Sequence, residues 1–271
     1  MLIAVTRAVS PTLADCELTH RPRDPINVAN AVAEHAYYEE TLRSLGVTVV
    51  RAPPEPTLPD AVFVEDAALA LNEVGVITRP GAPTRRRETE SLATVLGAYM
   101  PLLRIEPPGT LDGGDVLRVG RRLYVGVSSR TNRDGIAQLE TLLDKWDYEV
   151  IAVPVHGCLH LKSAVTQVAE HLLLLNDRFV HPECFAPLEM VTVAPTEPDG
   201  ANALWIEGAG GGGGGGRGGG KVIYAAHHSE TAERLDRAGV NVVPVPSTEL
   251  AKAEGGVTCC SVLFAAEGAS R

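Results

Sequence analysis

Aromatic residues are scarce in this chain of 271 residues, at 4%, although hydrophobic residues make up 45%. Its core must therefore be filled by Val, Leu, Ile and Ala rather than by rings. There is no extended lysine- or arginine-rich run and the net charge is −10, which argues against nucleic acid as a partner. An acidic chain tolerates a small cation better than an anion. No apolar run reaches the ~18 residues of a membrane span. Met1–Val5 is too short for a signal h-region and lacks a basic start. The cysteines, Cys16, Cys158, Cys184, Cys259 and Cys260, are odd in number and include no Cys-x-x-Cys pair. Free thiols in a cytoplasmic protein are the expectation, and neither a disulfide framework nor a structural zinc site. No Gly-x-Gly-x-x-Gly opens a helix, so a dinucleotide-binding fold is disfavoured.

What is present is a recurring order of elements. Leu2 to Arg7 reads as a strand, 25–45 as a helix stopped at Gly46, and Val47–Val50 as a strand. Ala61–Val64 and Val74–Thr78 read as strands, followed by a helix from Thr84 and a strand at Leu102–Ile105. The cycle continues with a hairpin around Gly120–Arg122, a helix over 129–146 and a strand at 149–155. Further strand pairs precede a short helical piece after Phe179, a helix starting at Ser229 and a short helix starting at Ser247. The unit is strand–strand–helix–strand, repeated about five times at a spacing of roughly 50 residues. A circular arrangement of such units buries one apolar face per unit and brings loops to a shared centre. Between the first strand and first helix, residues 8–24 form a long connection that could serve as a lid. The stretch 208–220, nearly all glycine, reads as a flexible loop and not as a phosphate-binding loop.

Three polar groups stand where strands end: Asp112 in Leu-Asp-Gly-Gly-Asp, His160 between two leucines, and Cys259 after Gly255-Gly256. A thiol, an imidazole and a carboxylate from separate loops can act as nucleophile, proton shuttle and orienting group. Each also has a structural reading: a satisfied core histidine, a turn, and a buried small hydrophobe. Asp60, Glu65 and Asp66 flank an apolar run, and Arg85 and Arg130 offer forks suited to a carboxylate.

The segments Phe63-Val64-Glu65-Asp66, 78–83, 111–116, 129–132, Leu159-His160-Leu161-Lys162-Ser163 and Thr258-Cys259-Cys260-Ser261 occur in one order. Together they resemble the dimethylarginine dimethylaminohydrolases of the guanidino-group-modifying superfamily, over nearly the whole chain; several are shared with arginine deiminases. The resemblance implies one catalytic domain over 1–271, a five-bladed pseudo-symmetric α/β propeller of ββαβ units. It implies hydrolysis of methylated arginines to citrulline and methylamines, with no metal or organic cofactor. It implies Cys259 as nucleophile, His160 as general acid/base and Asp112 as the carboxylate holding the imidazole or substrate. Glu65 and Asp66 would bind the guanidinium, Arg85 and Arg130 the α-carboxylate, and Asp60 the α-amino group. Leu18 would come from the lid, and the backbone near Ala253 would complete the amino site. The polyglycine stretch departs from the family pattern. A homodimer is left open. An arginine deiminase, a non-catalytic arginine-binding module and a thiol-redox protein using Cys259–Cys260 are the alternatives.

Overall fold

The computed structural model describes residues 1–209 and 219–266. Of the expected glycine loop, 210–218 lie outside the described residues. Among the described residues, fifteen strands form five sheets of three, each with an antiparallel and a parallel pairing on its middle strand. In the second blade, β3 (Ala68–Ala70) pairs antiparallel with β4 (Gly75–Ile77), and β4 parallel with β5 (Leu102–Arg104), the crossover being α2 (Glu88–Leu96). The third blade repeats this with β6 (Val116–Val119), β7 (Arg122–Val127), α3 (Arg133–Leu143) and β8 (Glu149–Pro154). In the fourth, the short helix α4 (Leu161–Ala164) leads into β9 (Val165–Ala169), and β10 (Leu172–Leu175) reaches β11 (Glu189–Thr192) through a 3₁₀ turn, Pro182–Phe185, where the others have a helix. The fifth has β12 (Ala203–Ile206), β13 (Lys221–Ala225), α5 (Ser229–Arg237) and β14 (Val242–Val245).

The first blade joins the two ends of the chain. β1 (Leu2–Thr6) runs parallel to β2 (Thr48–Arg51) across α1 (Val28–Ser44) and antiparallel to β15 (Val262–Ala265). The ββαβ unit is thus conserved in space while its first strand comes last in sequence. This is a five-bladed α/β propeller, and the repeat read from the sequence is borne out.

The core is divided among the junctions between blades. Leu42 of α1 and Ile223 of β13 belong to one apolar cluster, which joins the fifth blade to the first. Phe264 and Leu92, Leu123 and Val76, Leu173 and Tyr124, and Leu235 and Leu174 likewise share the clusters of the remaining four junctions. These positions are the apolar faces of alternating strands and the inward stripes of the helices, as period-2 and period-3.6 spacing require.

One expected strand is a turn. Ala61–Val64 is almost wholly buried, yet 64–67 form a 3₁₀ turn and the strand begins only at Ala68. Such a segment needs partners for backbone groups that no ladder supplies. Two buried arginines provide them: Arg7 donates to the Ala61 carbonyl, and Arg85 to those of Asp60 and Phe63. Helix starts also moved. α3 begins at Arg133, with Asn132 accepting from the Gly135 amide, so 129–131 are free to form a loop. Neither Ser229 nor Ser247 caps a helix through its side chain. Instead the Glu197 carboxylate takes the Glu230 and Thr231 amides of α5. Glu34 of α1 takes the Glu249 and Leu250 amides of α6 (Thr248–Lys252). Among the described residues no helix is long and apolar enough to cross a membrane.

Candidate active site

Loops from several blades meet in one cleft, lined by seven of the ten site residues expected from the sequence: Asp60, Asp66, Arg85, Arg130, His160, Ala253 and Cys259. The other three stand around it. Asp112 is fully buried behind the imidazole, accepting or sharing a proton with His160 Nε2 at 3.0 Å. Its other oxygen accepts from the Gly81 amide at 2.8 Å, which fixes the carboxylate. Glu65 lies beside Cys259, whose carbonyl accepts from the Glu65 amide. Leu18 is half-buried in the connection 8–24, packed against the junction of the fifth and first blades.

Two carboxylates flank the His160 ring. Nδ1 is 3.8 Å from Asp66 Oδ1, beyond hydrogen-bonding distance, while Nε2 is held by Asp112. Nδ1 is therefore the nitrogen left for chemistry. Burial alone would push the imidazole pKa down, but Asp66, with Asp112 and Asp115, outweighs it and holds the pKa at about 9. The turn Asp112–Asp115 reaches the ring only because it carries glycine. A Cβ on Gly114 would lie 2.6 Å from Asp66 Oδ1 and 2.7 Å from His160 Nδ1. Hence the Asp-Gly-Gly-Asp sequence belongs to the site as much as to a turn.

Cys259 is partly buried, and the Gly256 amide donates to its sulfur at 3.3 Å. Burial, then the charges of Glu65 and Asp66, push the thiol up to about 12. Cys260 is 1% exposed and packs into the apolar core, so the adjacent cysteines have different surroundings. Gly255, just before, faces the Phe63 ring: an added Cβ would fall 2.2 Å from it.

The acidic residues are compensated one by one. Asp66 Oδ1 accepts the Gly114 amide and Oδ2 pairs with Arg85. Burial raises its pKa, but His160 and Arg85 prevail and hold it at about 2. Arg85 is 4% exposed, and beyond Asp66 its fork is bound to Glu88 through Nε and Nη2. Glu65 bridges Lys162 and the Thr258 hydroxyl, and burial raises its pKa. Arg130 donates to the Thr19 hydroxyl, and Asp60 accepts the Glu17 amide. Asp115, buried and pushed by burial to about 6, accepts the Leu161 amide and so fixes the start of the His160 loop. Lys162, Thr258, Glu88 and Asp115 gave no separate signal in the sequence. Lys162, Asp115 and Thr258 sit inside the motifs, but their partners Glu65 and Leu161 lie far away in the chain. Asp66, Asp112 and His160 offer ligand atoms within 4.8 Å of one another and are the described residues that could hold a metal ion. Here the imidazolium itself supplies the positive charge between the carboxylates.

The arrangement places a thiol, an imidazole held by a carboxylate, and side chains of opposite charge around one cleft. Comparison with known proteins agrees. The sequence model for "N,N dimethylarginine dimethylhydrolase, eukaryotic" matches residues 19–182. An N(G),N(G)-dimethylarginine dimethylaminohydrolase of Streptomyces coelicolor is 37% identical over 96% of this chain and 95% of its own. The solved dimethylarginine dimethylaminohydrolase of Pseudomonas aeruginosa, a cysteine-to-serine variant complexed with citrulline, superposes with a TM-score of 0.88. That match is 31% identical and covers 97% of this chain and 98% of that one. A dimethylarginine dimethylaminohydrolase histidine-to-glycine variant, as an adduct with S-methyl-L-thiocitrulline, gives the same score and identity over 97% and 99%. With the order of its motifs, the five-bladed ring and the cysteine–histidine cleft all in accord, the chain belongs to the dimethylarginine dimethylaminohydrolase family.

Proposed function

We propose that this protein hydrolyses Nω-methylated arginine to citrulline and a methylamine through a covalent adduct on Cys259. The observation that carries the reading is His160, held through Nε2 by Asp112 and open at Nδ1, lining one cleft with Cys259. Arg130 takes the substrate α-carboxylate, with Arg85 adding positive charge behind it. Asp60 and the backbone at Ala253 take the α-amino group. The guanidinium lies between Cys259 and the charges of Asp66 and Glu65. Leu18 closes the cleft from the lid.

The charge states set the order of events. At neutral pH the resting site holds a thiol and an imidazolium, since their pKa values are about 12 and about 9. A cationic substrate offsets Glu65 and Asp66, the charges that disfavour a thiolate, so binding lowers the thiol pKa and its proton leaves to solvent. The Gly256 amide is placed to stabilise the thiolate. Sulfur attacks the guanidinium carbon to give a tetrahedral adduct. His160 Nδ1 protonates the departing amine as the C–N bond breaks, leaving a thiouronium on Cys259. Neutral His160 then takes a proton from water as the water oxygen attacks the same carbon. The second tetrahedral adduct collapses to release citrulline, the C–S electron pair returning to Cys259 as thiolate and the hydroxyl proton passing to that sulfur or to solvent.

Citrulline release from arginine, monomethylarginine and asymmetric dimethylarginine, compared by kcat/KM, tests the reading. Turnover of the methylated forms is expected, with Cys259→Ser lowering kcat by at least ~10³-fold while substrate still binds. A Cys259→Ser protein that releases citrulline at the native rate would refute it.

A further inference from the structure

The connection 8–24 lies over the cleft and is held there by side chains from distant parts of the chain. Glu17 donates its amide to Asp60 at 3.1 Å, and Arg130 donates to the Thr19 hydroxyl at 3.1 Å. A third attachment makes two hydrogen bonds where each of the others makes one. Glu254 accepts the Thr19 amide through Oε2 at 2.8 Å and the His20 amide through Oε1 at 2.6 Å. One carboxylate thus holds two consecutive backbone amides, immediately after Leu18. Its own backbone sits at φ +58°, in the left-handed region that favours glycine. A non-glycine residue held there points to a function for the side chain rather than a backbone requirement.

We infer that Glu254 is a positioning residue that clamps the lid shut over bound substrate. The inference rests on the proposed function, which assigns Asp60 and Arg130 to the two charged ends of the amino-acid head group. When substrate takes those two side chains, the lid loses both attachments. Glu254 has no assigned contact with substrate and keeps its hold on Thr19 and His20. It lies five residues before Cys259, and Gly256, two residues on, donates to the Cys259 sulfur. The clamp therefore ties Leu18 to the same loop that presents the nucleophile.

The left-handed backbone makes a clean test, because glycine removes the carboxylate and suits the conformation. Glu254→Gly is expected to keep or raise the melting temperature, to raise KM for methylated arginine about tenfold, and to change kcat less. Glu254→Gln, which keeps one strong acceptor, is expected to recover most of the KM. Hydrogen exchange at the Thr19 and His20 amides is expected to quicken about tenfold in the glycine variant and less in the glutamine variant. If Glu254→Gly proves unfolded, Glu254→Asn, which suits the left-handed backbone and is one methylene too short to hold both amides, carries the same KM and exchange test. Native KM and native exchange at both amides in a folded variant that removes the carboxylate's reach, Glu254→Gly or Glu254→Asn, would overturn the inference. A wild-type protein that binds substrate without releasing citrulline would overturn the function instead, so the two failures are distinct.

Discussion

His160 shows how one residue couples chemistry to stability. Its folded pKa, about 9, stands above the ordinary 6.5 because Asp66, Asp112 and Asp115 outweigh burial. A raised pKa means that the folded state holds a proton the unfolded chain releases. That contribution is fully present below pH 6.5 and is lost as pH rises to about 9, roughly 3 kcal/mol in all. The stability gap between wild type and His160→Gln, measured by urea unfolding, is therefore expected to shrink between pH 6 and pH 9. An equal gap at both values would show that the carboxylates do not stabilise the imidazolium. The thiol gives a kinetic counterpart. With Cys259 near 12 in the free protein, log kcat/KM is expected to climb between pH 6 and pH 8 with a slope near one. A flat profile there would mean that the thiolate exists before substrate arrives. Cys259, His160 and Asp112 stand out in the sequence as candidates, because each lies in a short motif. The sequence could not give the charge states of Cys259 and His160, which depend on burial and on Asp66, 94 positions from His160 in the chain.

Elements were more legible than their ends. The helical spacing of Val28 to Leu42 and the hairpin at Gly120 are local signals, and both were found where expected. Ala61–Val64 misled because a buried apolar run looks the same in a strand as in a loop. What decides is the supply of hydrogen-bond partners, and these come from Arg7 and Arg85. The same holds for α6, whose start is capped from α1 rather than by its own serine. Glu34 accepts the Thr248 hydroxyl at 2.8 Å and the next two amides, and it is 7% exposed. Glu34→Ala should cost about 1–2 kcal/mol, the worth of an N-cap, and fray the helix that leads to Ala253 and Glu254. Denaturant unfolding measures the first effect, and exchange at the Glu249 and Leu250 amides the second. Native protection of those amides in the variant would assign the capping to other groups.

At the scale of the molecule, the five apolar clusters each span two blades, and the last joins the fifth blade to the first. An open stack of repeats can lose its ends first, because a terminal unit has one neighbour. In the ring every blade has two, and the first is built from both chain ends through β1 and β15. A blade that opens exposes two junctions at once, so partial unfolding is costly wherever it begins. Leu139, at the junction of the second and third blades, and Leu235, at that of the fourth and fifth, are both fully buried. Leu139→Ala and Leu235→Ala should each cost about 2–5 kcal/mol, from lost burial and the cavity left behind. In urea each variant is expected to unfold in a single transition with the native slope and a lower midpoint, and the double variant to lose nearly the sum. Circular dichroism and Cys259 accessibility to a thiol reagent, followed together, are expected to report one midpoint. Two separated transitions in either variant would mean that blades unfold independently and that closing the ring does not couple them.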